Sequence, residues 1–407
     1  MTFGLLGYPL SHSYSPQIHS LLGSYSYNLF SVKPEDLDHF FKNADFTGIN
    51  VTSPYKKIVM QYCHELTDPA HAVGCVNTIV RRSDGKLIGH NSDYFGFSHM
   101  INTCGINLNG RKVLILGSGG AAGTVSKVMT ELGADPIIVS RNGKNNYNNL
   151  FLHHDASIIV NATPVGMYPT TLTSLLDLDT FPNLETVLDL IYNPARTKLL
   201  MDAEERRLIT ANGLDMLVAQ AKESAEWFTG NRISNCKIDQ IRNHLENQMM
   251  NIVLIGMPGC GKTTIGKLLA QMLNREFVDL DEVIETERGI SVAEFIESKG
   301  EDAFRRIETD VILRYGKLSS LVIATGGGCV TRKENYYPLH QNSRIYWIKR
   351  DPSLLPTEGR PLSKNVSLFD LYQQRAPLYE NFADYIVEND LEPEHTTAAI
   401  ISMEENK

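Results

Sequence analysis

The sequence predicts an α/β protein whose strands form parallel sheets and whose chain divides into two unequal parts. Two observations carry that expectation. Short apolar runs alternate with helical patterns almost throughout: PIIV (136–139), SIIV (157–160), TVLDL (186–190), LVIAT (321–325) and IYWIK (345–349). This is the rhythm of βαβ units. Two strand–glycine loop–helix units also stand out, KVLILG with SGGAAG (112–123) and NIVLIG with MPGCGKTT (251–264). After the first loop, Val125, Val128, Met129 and Leu132 recur at the spacing of one helix face; after the second, Ile265, Leu268, Leu269 and Met272 do the same. The loops differ, so two different nucleotide-binding units are expected rather than a repeat. The polar stretch RNHLENQMMN (242–251) sets the main boundary near residue 248, and GKNNYNN (143–149) reads as an exposed loop or helix start.

Length and composition bound the rest. At ~150 residues per domain, 407 residues predict two or three domains. Hydrophobic residues make up 42% and charged residues 21%, which excludes a disordered, collagen-like or disulfide-built chain. Lys and Arg number 38 against 47 Asp and Glu, a net −9, so nucleic acid is not an expected partner. No apolar run approaches the ~18 residues of a membrane span. The first Lys or Arg is Lys33, so the start is expected to lack the basic segment of a secretory signal. Cys63, Cys75, Cys104, Cys236, Cys260 and Cys329 show no CxxC spacing, as expected of free thiols in a reducing cytoplasm. The expected partners are small molecules; the oligomeric state is left open.

The second glycine loop, GMPGCGKT (256–263), fits G-x-x-x-x-G-K-[ST] between a strand and a helix. Its backbone N–H groups, with Gly259, Gly261 and Thr264, suit the phosphates of ATP. Lys262 suits the β/γ oxygens and the Thr263 hydroxyl suits Mg²⁺. FVDLD (277–281) reads as a strand that puts Asp279 and Asp281 on one face, fit for Mg²⁺ and an acceptor hydroxyl. GEDAFRRIE (300–308), TGGG (325–328), GRPLS (359–363) and RAPLYENFAD (375–384) follow in order.

With these motifs the chain resembles shikimate kinase over 250–407, a P-loop NTPase-type parallel-sheet domain. The resemblance implies that Asp281 orients the acceptor hydroxyl and takes its proton, with Asp279 beside Mg²⁺. It implies that Arg305 and Arg375 clamp the shikimate carboxylate, for which the planar guanidinium fork is suited. The backbone at Gly326, Gly327 and Gly328 then lets the ring approach, and Arg360 sits on a lid, about 351–365, that closes over ATP. One departure is that no basic residue lies between Arg350 and Arg360.

The first loop, GSGGAAG (117–123), offers Gly117, Gly119, Gly120 and Ala121 to a dinucleotide in a Rossmann-like setting. At the end of the next strand, IVSRNGK (138–144) carries Ser140, Arg141 and Lys144 where an acid would bind a free ribose. A cation and a hydroxyl suit a 2′-phosphate, so NADP(H) is expected over NAD(H). A ketone reduced by hydride needs a proton on its oxygen. Lys56 is the natural donor if its pKa is lowered toward neutrality, with Asp93 as its partner.

GYPLSHSYSPQIHS (7–20), NVTSPYK (50–56), GCVNT (74–78), GHNSDYFG (89–96), NATPVGM (161–167), DLIYNPARTKLL (189–200) and NGLDMLVAQA (212–221) resemble shikimate dehydrogenase over about 1–245. The resemblance names Lys56 and Asp93 as catalytic. It assigns Ser13 and Ser15 to the substrate carboxylate, and Thr52, Asn77 and Gln220 to ring hydroxyls. Tyr192 closes the site and Gly213 lies beside the cofactor. Cys75, Ser92, Ser20 and Asn142 depart from the family's usual residues. His12, His19 and the pair His153–His154 do not have the spacing of a metal site.

The expected organisation is a substrate-binding part from 1–97 and 214–245, a dinucleotide domain over 98–213, and a kinase domain over 250–407 with its P-loop at 256–264. The expected chemistry is reduction of 3-dehydroshikimate with NADPH, then phosphorylation of shikimate with MgATP. Alternatives are a quinate-preferring dehydrogenase, a kinase for another carboxylate-bearing polyol, or one half that binds nucleotide without catalysis.

Overall fold

The computed structural model describes residues 2–10, 13–355 and 367–405. It divides into two compact units. The first holds Met1–Val165, Ser174–Tyr192 and Asp202–His244; the second holds Gly166–Thr173, Asn193–Met201 and Leu245–Lys407.

The first unit contains two sheets. One is built from β1 (Phe3–Gly7), β2 (Tyr27–Ser31), β3 (Gly48–Val51), β4 (Glu65–Leu66), β5 (Thr78–Arg81) and β6 (Leu87–His90), in the order β2-β1-β3-β5-β6-β4. It is mixed: β1 pairs in parallel with β2 and β3, while β5 runs antiparallel to β3 and β6. The other is wholly parallel, from β7 (Lys112–Leu116), β8 (Asp135–Val139), β9 (Ile158–Asn161), β10 (Thr186–Asp189) and β11 (Ile209–Ala211), ordered β11-β10-β9-β7-β8. Its inner strands are buried along nearly their whole length, which is why they read as unbroken apolar runs. The helix Leu214–Thr229 then packs back on the first sheet. Phe228 stacks on Phe3 with ring centroids 5.0 Å apart, and a Cβ at Gly48 would meet the Phe228 ring at 2.5 Å.

The second unit has one parallel sheet of β12 (Asn251–Ile255), β13 (Glu276–Asp279), β14 (Leu321–Ala324), β15 (Ser343–Lys349) and β16 (Tyr385–Glu388), ordered β13-β14-β12-β15-β16. Ile252, Leu254, Val322 and Ile345 are fully buried in its core. Each such side chain contributes roughly 1.5–3 kcal/mol by leaving water.

Two local expectations need correction. Leu132 and Met272, expected on buried helix faces, are 43% and 64% exposed. The helices instead turn small residues inward, Ala122 beside Val125 and Gly266 beside Ile265, so the apolar face is rotated by about one residue. FVDLD is not one strand. β13 ends at Asp279, whose carboxylate accepts the Asp281 N–H at 3.1 Å as an N-cap, and Asp281 lies in the first turn of the helix Leu280–Arg288. Most of the polar stretch 242–251 lies in the helix Cys236–Met249, which runs almost to β12. Among the described residues, no helix is long and apolar enough to cross a membrane.

Candidate active sites

In the first unit a cavity of about 510 Å³ opens between the two sheets. Ser13, Ser15, Thr52, Lys56, Asn77 and Asp93 line it, and so do Tyr192, Gly213, Gln220 and Ala121. Each is placed by local structure. A turn after β3, closed by Tyr55 N–H on Thr52 O at 3.0 Å, brings Lys56 back toward the sheet. Asn91 caps the helix Ser92–Cys104 by accepting the Tyr94 N–H at 3.1 Å, which sets Asp93 in the first turn, where the helix dipole favours a carboxylate.

Lys56 Nζ then lies 2.6 Å from Asp93 Oδ2. Burial acts to lower the Lys56 pKa, but the charge and hydrogen bond of Asp93, with a smaller influence from Cys75, outweigh it and hold the ammonium above its ordinary range. The expectation of a lysine lowered toward neutrality is therefore corrected: its partner carboxylate overrides desolvation.

Beneath the cavity lies a hydroxyl and amide network, of which the sequence singled out Asn77 and Ser92 but not Asn50, Thr78 or Ser224. Ser224 Oγ sits within 2.9 Å of both Thr78 Oγ1 and Ser92 Oγ and accepts from Asn50 Nδ2 at 2.7 Å. Asn77 Oδ1 accepts the Ser92 N–H at 2.7 Å, which fixes the amide toward the cavity. Asn50 lines the cavity as well, and its Oδ1 accepts from the Tyr27 hydroxyl at 2.8 Å. Its signal was present in NVTSPYK: Asn50 and Thr52 alternate with Val51 on a strand and so share a face.

The dinucleotide-loop residues Gly117, Gly119 and Gly120 lie outside that lining. They follow β7 at the carboxyl edge of the parallel sheet, and Gly119 precedes the helix Gly120–Glu131. A Cβ on Gly120 would come within 4.0 Å of Lys56 Cδ, so the loop abuts the lysine. Space around Gly119 is open. Ser140 and exposed Arg141 come directly after β8 on the same edge, away from the cavity. This open, hydroxyl- and cation-flanked cradle fits a phosphorylated dinucleotide. His12 and Arg360 lie outside the described residues.

The second unit holds a cavity of about 260 Å³, at the carboxyl edge of its sheet. Gly259 reaches it from the loop after β12, Lys262 and Thr263 from the start of the helix that follows, Asp279 from the end of β13, Asp281 from the first turn of the helix Leu280–Arg288, and Gly327 from the loop after β14. Arg305 and Arg375 close its far side, while Thr264 and Gly261 do not line it. Gly261 has φ +102° and opens the helix Lys262–Leu273, where a Cβ would meet Asn389 Nδ2 at 2.6 Å. Asn389 Nδ2 donates to Cys260 O at 2.7 Å, a brace for the loop that no motif signalled. Lys262 Nζ donates to Gly256 O and Met257 O at 2.9 and 3.0 Å.

Arg305 donates to Glu308 Oε2 at 2.8 Å and to Glu301 Oε1 at 3.0 Å. Glu308 is fully buried, and its Oε1 has no hydrogen-bond partner among the described residues. Burial, then the charges of Glu308 and Asp279, push the Asp281 carboxyl up to about 7, against the pull of Lys262 and Arg305. Arg375 and the Tyr379 hydroxyl both donate to Gly327 O. Thr263 Oγ1 donates to Asp279 Oδ2 at 2.7 Å, which sets two hard oxygens side by side. That pair fits a small divalent cation that takes its other ligands from water and phosphate.

Known proteins resemble both parts of the chain. Residues 5–79 match the model of the shikimate dehydrogenase substrate binding domain, and residues 258–404 match that of shikimate kinase. A shikimate dehydrogenase (NADP(+)) of Clostridium perfringens is 34% identical over 266 residues, which cover 60% of this chain and 98% of that protein. A chorismate mutase/shikimate 5-dehydrogenase fusion protein from Clostridium acetobutylicum has 34% identity and a TM-score of 0.57, over 60% of this chain and 97% of that one. A shikimate 5-dehydrogenase from Thermus thermophilus, solved with NADP(H) and shikimate, has 28% identity and a TM-score of 0.55, over 60% of this chain and 99% of that one. The chain belongs to the shikimate dehydrogenase family and carries a shikimate kinase domain behind it, which makes it an oxidoreductase and a kinase of the shikimate pathway in one polypeptide.

Proposed function

We propose that the first unit reduces 3-dehydroshikimate to shikimate with NADPH and that the second phosphorylates the 3-hydroxyl of shikimate with MgATP. The observation that carries this reading is the convergence on one cavity of Ser13, Ser15, Thr52, Asn77 and Gln220 around the Lys56–Asp93 pair. Hydroxyl and amide donors there suit a carboxylate and ring hydroxyls, and a charged lysine suits a carbonyl oxygen that must gain a proton. NADPH supplies the hydride. Lys56 Nζ gives its proton to the carbonyl oxygen while Asp93 holds the ammonium in place, and the product alcohol leaves Lys56 to be reprotonated from water. Ser140 and Arg141 are assigned to the 2′-phosphate, in keeping with the NADP(+) in the name of the Clostridium perfringens relative.

In the second unit, Arg305 and Arg375 are assigned to the substrate carboxylate and Asp281 to the reacting hydroxyl, whose proton it accepts. A carboxylate raised to about 7 suits a base that works near neutrality. Lys262 and the loop N–H groups hold the ATP phosphates, and Thr263 with Asp279 holds Mg²⁺. We also propose the split organisation, 1–97 with 214–245 around an inserted 98–213: the separate sheets β1–β6 and β7–β11 support the first division, and the stacking of Phe228 on Phe3 supports joining 214–245 to the first sheet. Both reactions are assigned to the cytoplasm, which the unpaired state of all six cysteines suits.

A single assay tests the reading: 3-dehydroshikimate, NADPH and MgATP are mixed with the chain, and NADPH loss and ADP formation are followed together. Lys56→Ala should abolish the first signal, and Lys262→Ala the second alone when shikimate is supplied. An intact chain that consumes neither NADPH nor ATP with these acids overturns it.

A further inference from the structure

Asn161 and Asp189 are register partners at the last positions of β9 and β10. Both strands end there, at the carboxyl edge where ligands of open α/β sheets bind. Both side chains are buried, Asp189 completely. Asn161 wraps the turn that follows it: its Oδ1 accepts the Thr163 N–H and hydroxyl at 3.0 and 2.7 Å, and its Nδ2 donates to Val165 O at 3.3 Å. The same Nδ2 donates to Asp189 Oδ1 at 3.0 Å, and that oxygen also accepts the Ile191 N–H at 3.0 Å. One carboxylate oxygen therefore ties two loops, through bonds that its charge strengthens.

Each loop presses on a different side of the active site. Ala162 O stands 3.0 Å from where a Cβ of Gly117 would be, so the 162–165 turn backs the dinucleotide loop. Ile191 O accepts the Gly213 N–H at 3.0 Å, and Leu190 O leaves no room for a side chain on Gly213. Gly213 leads into the helix that carries Gln220, and Tyr192 is the next residue after Ile191. Leu190, Tyr192, Gly213 and Gln220 all line the substrate cavity.

We propose that Asp189 is a positioning residue for the reduction, whose buried carboxylate, through Oδ1, sets the cofactor-facing turn 162–165 and the substrate-facing segment Leu190–Tyr192 together. The proposal rests on the reading of the first unit given above. Asp189 does not line the substrate cavity; it acts through the two loops.

The test uses the full chain and measures kcat and KM for 3-dehydroshikimate and NADPH separately, with NADPH binding followed by its fluorescence. Asp189→Ala should raise both KM values tenfold or more. Asp189→Asn keeps an acceptor oxygen in place and should return both to within about threefold of the parent. Thr163→Val touches the turn alone and should raise only the KM for NADPH. If Asp189→Ala does not fold, Asp189→Asn and Thr163→Val still decide. Asp189→Ala with lowered thermal stability but unchanged KM values would mean a structural role only, and it overturns the proposal. So does an Asp189→Asn chain as impaired as Asp189→Ala, or a Thr163→Val chain that loses 3-dehydroshikimate affinity instead. A parent chain inert toward 3-dehydroshikimate would instead sink the reading of the reaction, and the NADPH titrations of the same variants would still judge Asp189.

Discussion

Lys56 Nζ and Asp93 Oδ2 stand 2.6 Å apart, the lysine delivered by the turn after β3 and the carboxylate by the first turn of a capped helix. The pair is held by two elements of one sheet unit, so its geometry precedes any ligand. Asp93 holds the ammonium's pKa above its ordinary value against the downward pull of burial.

The sign of that shift sets the pH behaviour. With its pKa raised above 10.5, Lys56 carries its proton throughout neutral pH and loses it only as pH climbs past that value. Reduction, which consumes the proton, should therefore show a flat kcat/KM from pH 6 to 9 as far as this group is concerned. Oxidation of shikimate needs the neutral amine and should rise about tenfold per unit over the same range. Initial rates in both directions measure this. A descending limb of reduction between pH 7 and 8 would mean that Lys56 titrates low, contrary to the pairing. Lys56→Ala should cost about 10²–10⁴ in rate.

Asp281 should trade stability for activity. Its folded carboxyl titrates at about 7, whereas an unfolded aspartate titrates near 3.9. Between those values the folded chain binds a proton that the unfolded chain has released, so this group's contribution to stability falls as pH rises, and above about 7 it is a constant cost. Asp281→Asn removes the cost. Trp227 and Trp347 are the two tryptophans, one in each unit. In a Trp227→Phe background Trp347 fluorescence thus reports the second unit. Without nucleotide or Mg²⁺, Asp281→Asn should raise the unfolding midpoint by several degrees at pH 8 and by clearly less at pH 5. Phosphorylation should meanwhile fall by about 10²–10⁴. An equal rise at both pH values would falsify the electrostatic account.

Arg141 should govern the choice of dinucleotide. It is exposed just beyond β8, in a segment, IVSRNGK (138–144), that carries no acidic residue. A charge-assisted bond to a 2′-phosphate is worth about 1.5–3 kcal/mol, a factor of ten or more in affinity. Arg141→Ala should raise the KM for NADPH by that factor and leave the KM for NADH within about twofold. Steady-state kinetics with both dinucleotides measure the ratio; an unchanged ratio removes Arg141 from the site.

The sequence exposed the chemistry better than the geometry that controls it. Motif residues such as Ser13, Thr52 and Gln220 were legible because the chain strings them in order, and the cavity gathers them. Asp281 was misplaced because strand alternation and a helix N-cap predict the same D-x-D pattern, and the Asp279 cap decides for the helix. The direction of the Lys56 shift was illegible: burial and a partner carboxylate oppose each other, and only the 2.6 Å separation shows which wins. Glu308 ends the GEDAFRRIE segment, yet nothing in a linear pattern says that one of its oxygens is buried facing Asp281 across Gly326.

The three glycines after β14 are packed against different partners, so their substitutions should separate the two ligands of the kinase. A Cβ on Gly328 would land on the Arg305 guanidinium, which Glu308 and Glu301 hold at 2.8 and 3.0 Å. That guanidinium is the end of a flexible side chain and can yield, so Gly328→Ala should fold with its carboxylate clamp displaced. The expected result is a KM for shikimate raised tenfold or more and a KM for ATP within twofold. A Cβ on Gly327 would meet Pro258 Cδ at 2.5 Å and its backbone N at 2.9 Å. Pro258 belongs to the phosphate loop and cannot step aside without moving it, so Gly327→Ala should raise the KM for ATP as well. ADP formation at varied shikimate and varied ATP measures both. If Gly328→Ala left shikimate binding intact while Gly327→Ala impaired shikimate alone, Arg305 would not be the clamp and the cavity would have to be read with the acceptor on the Pro258 side.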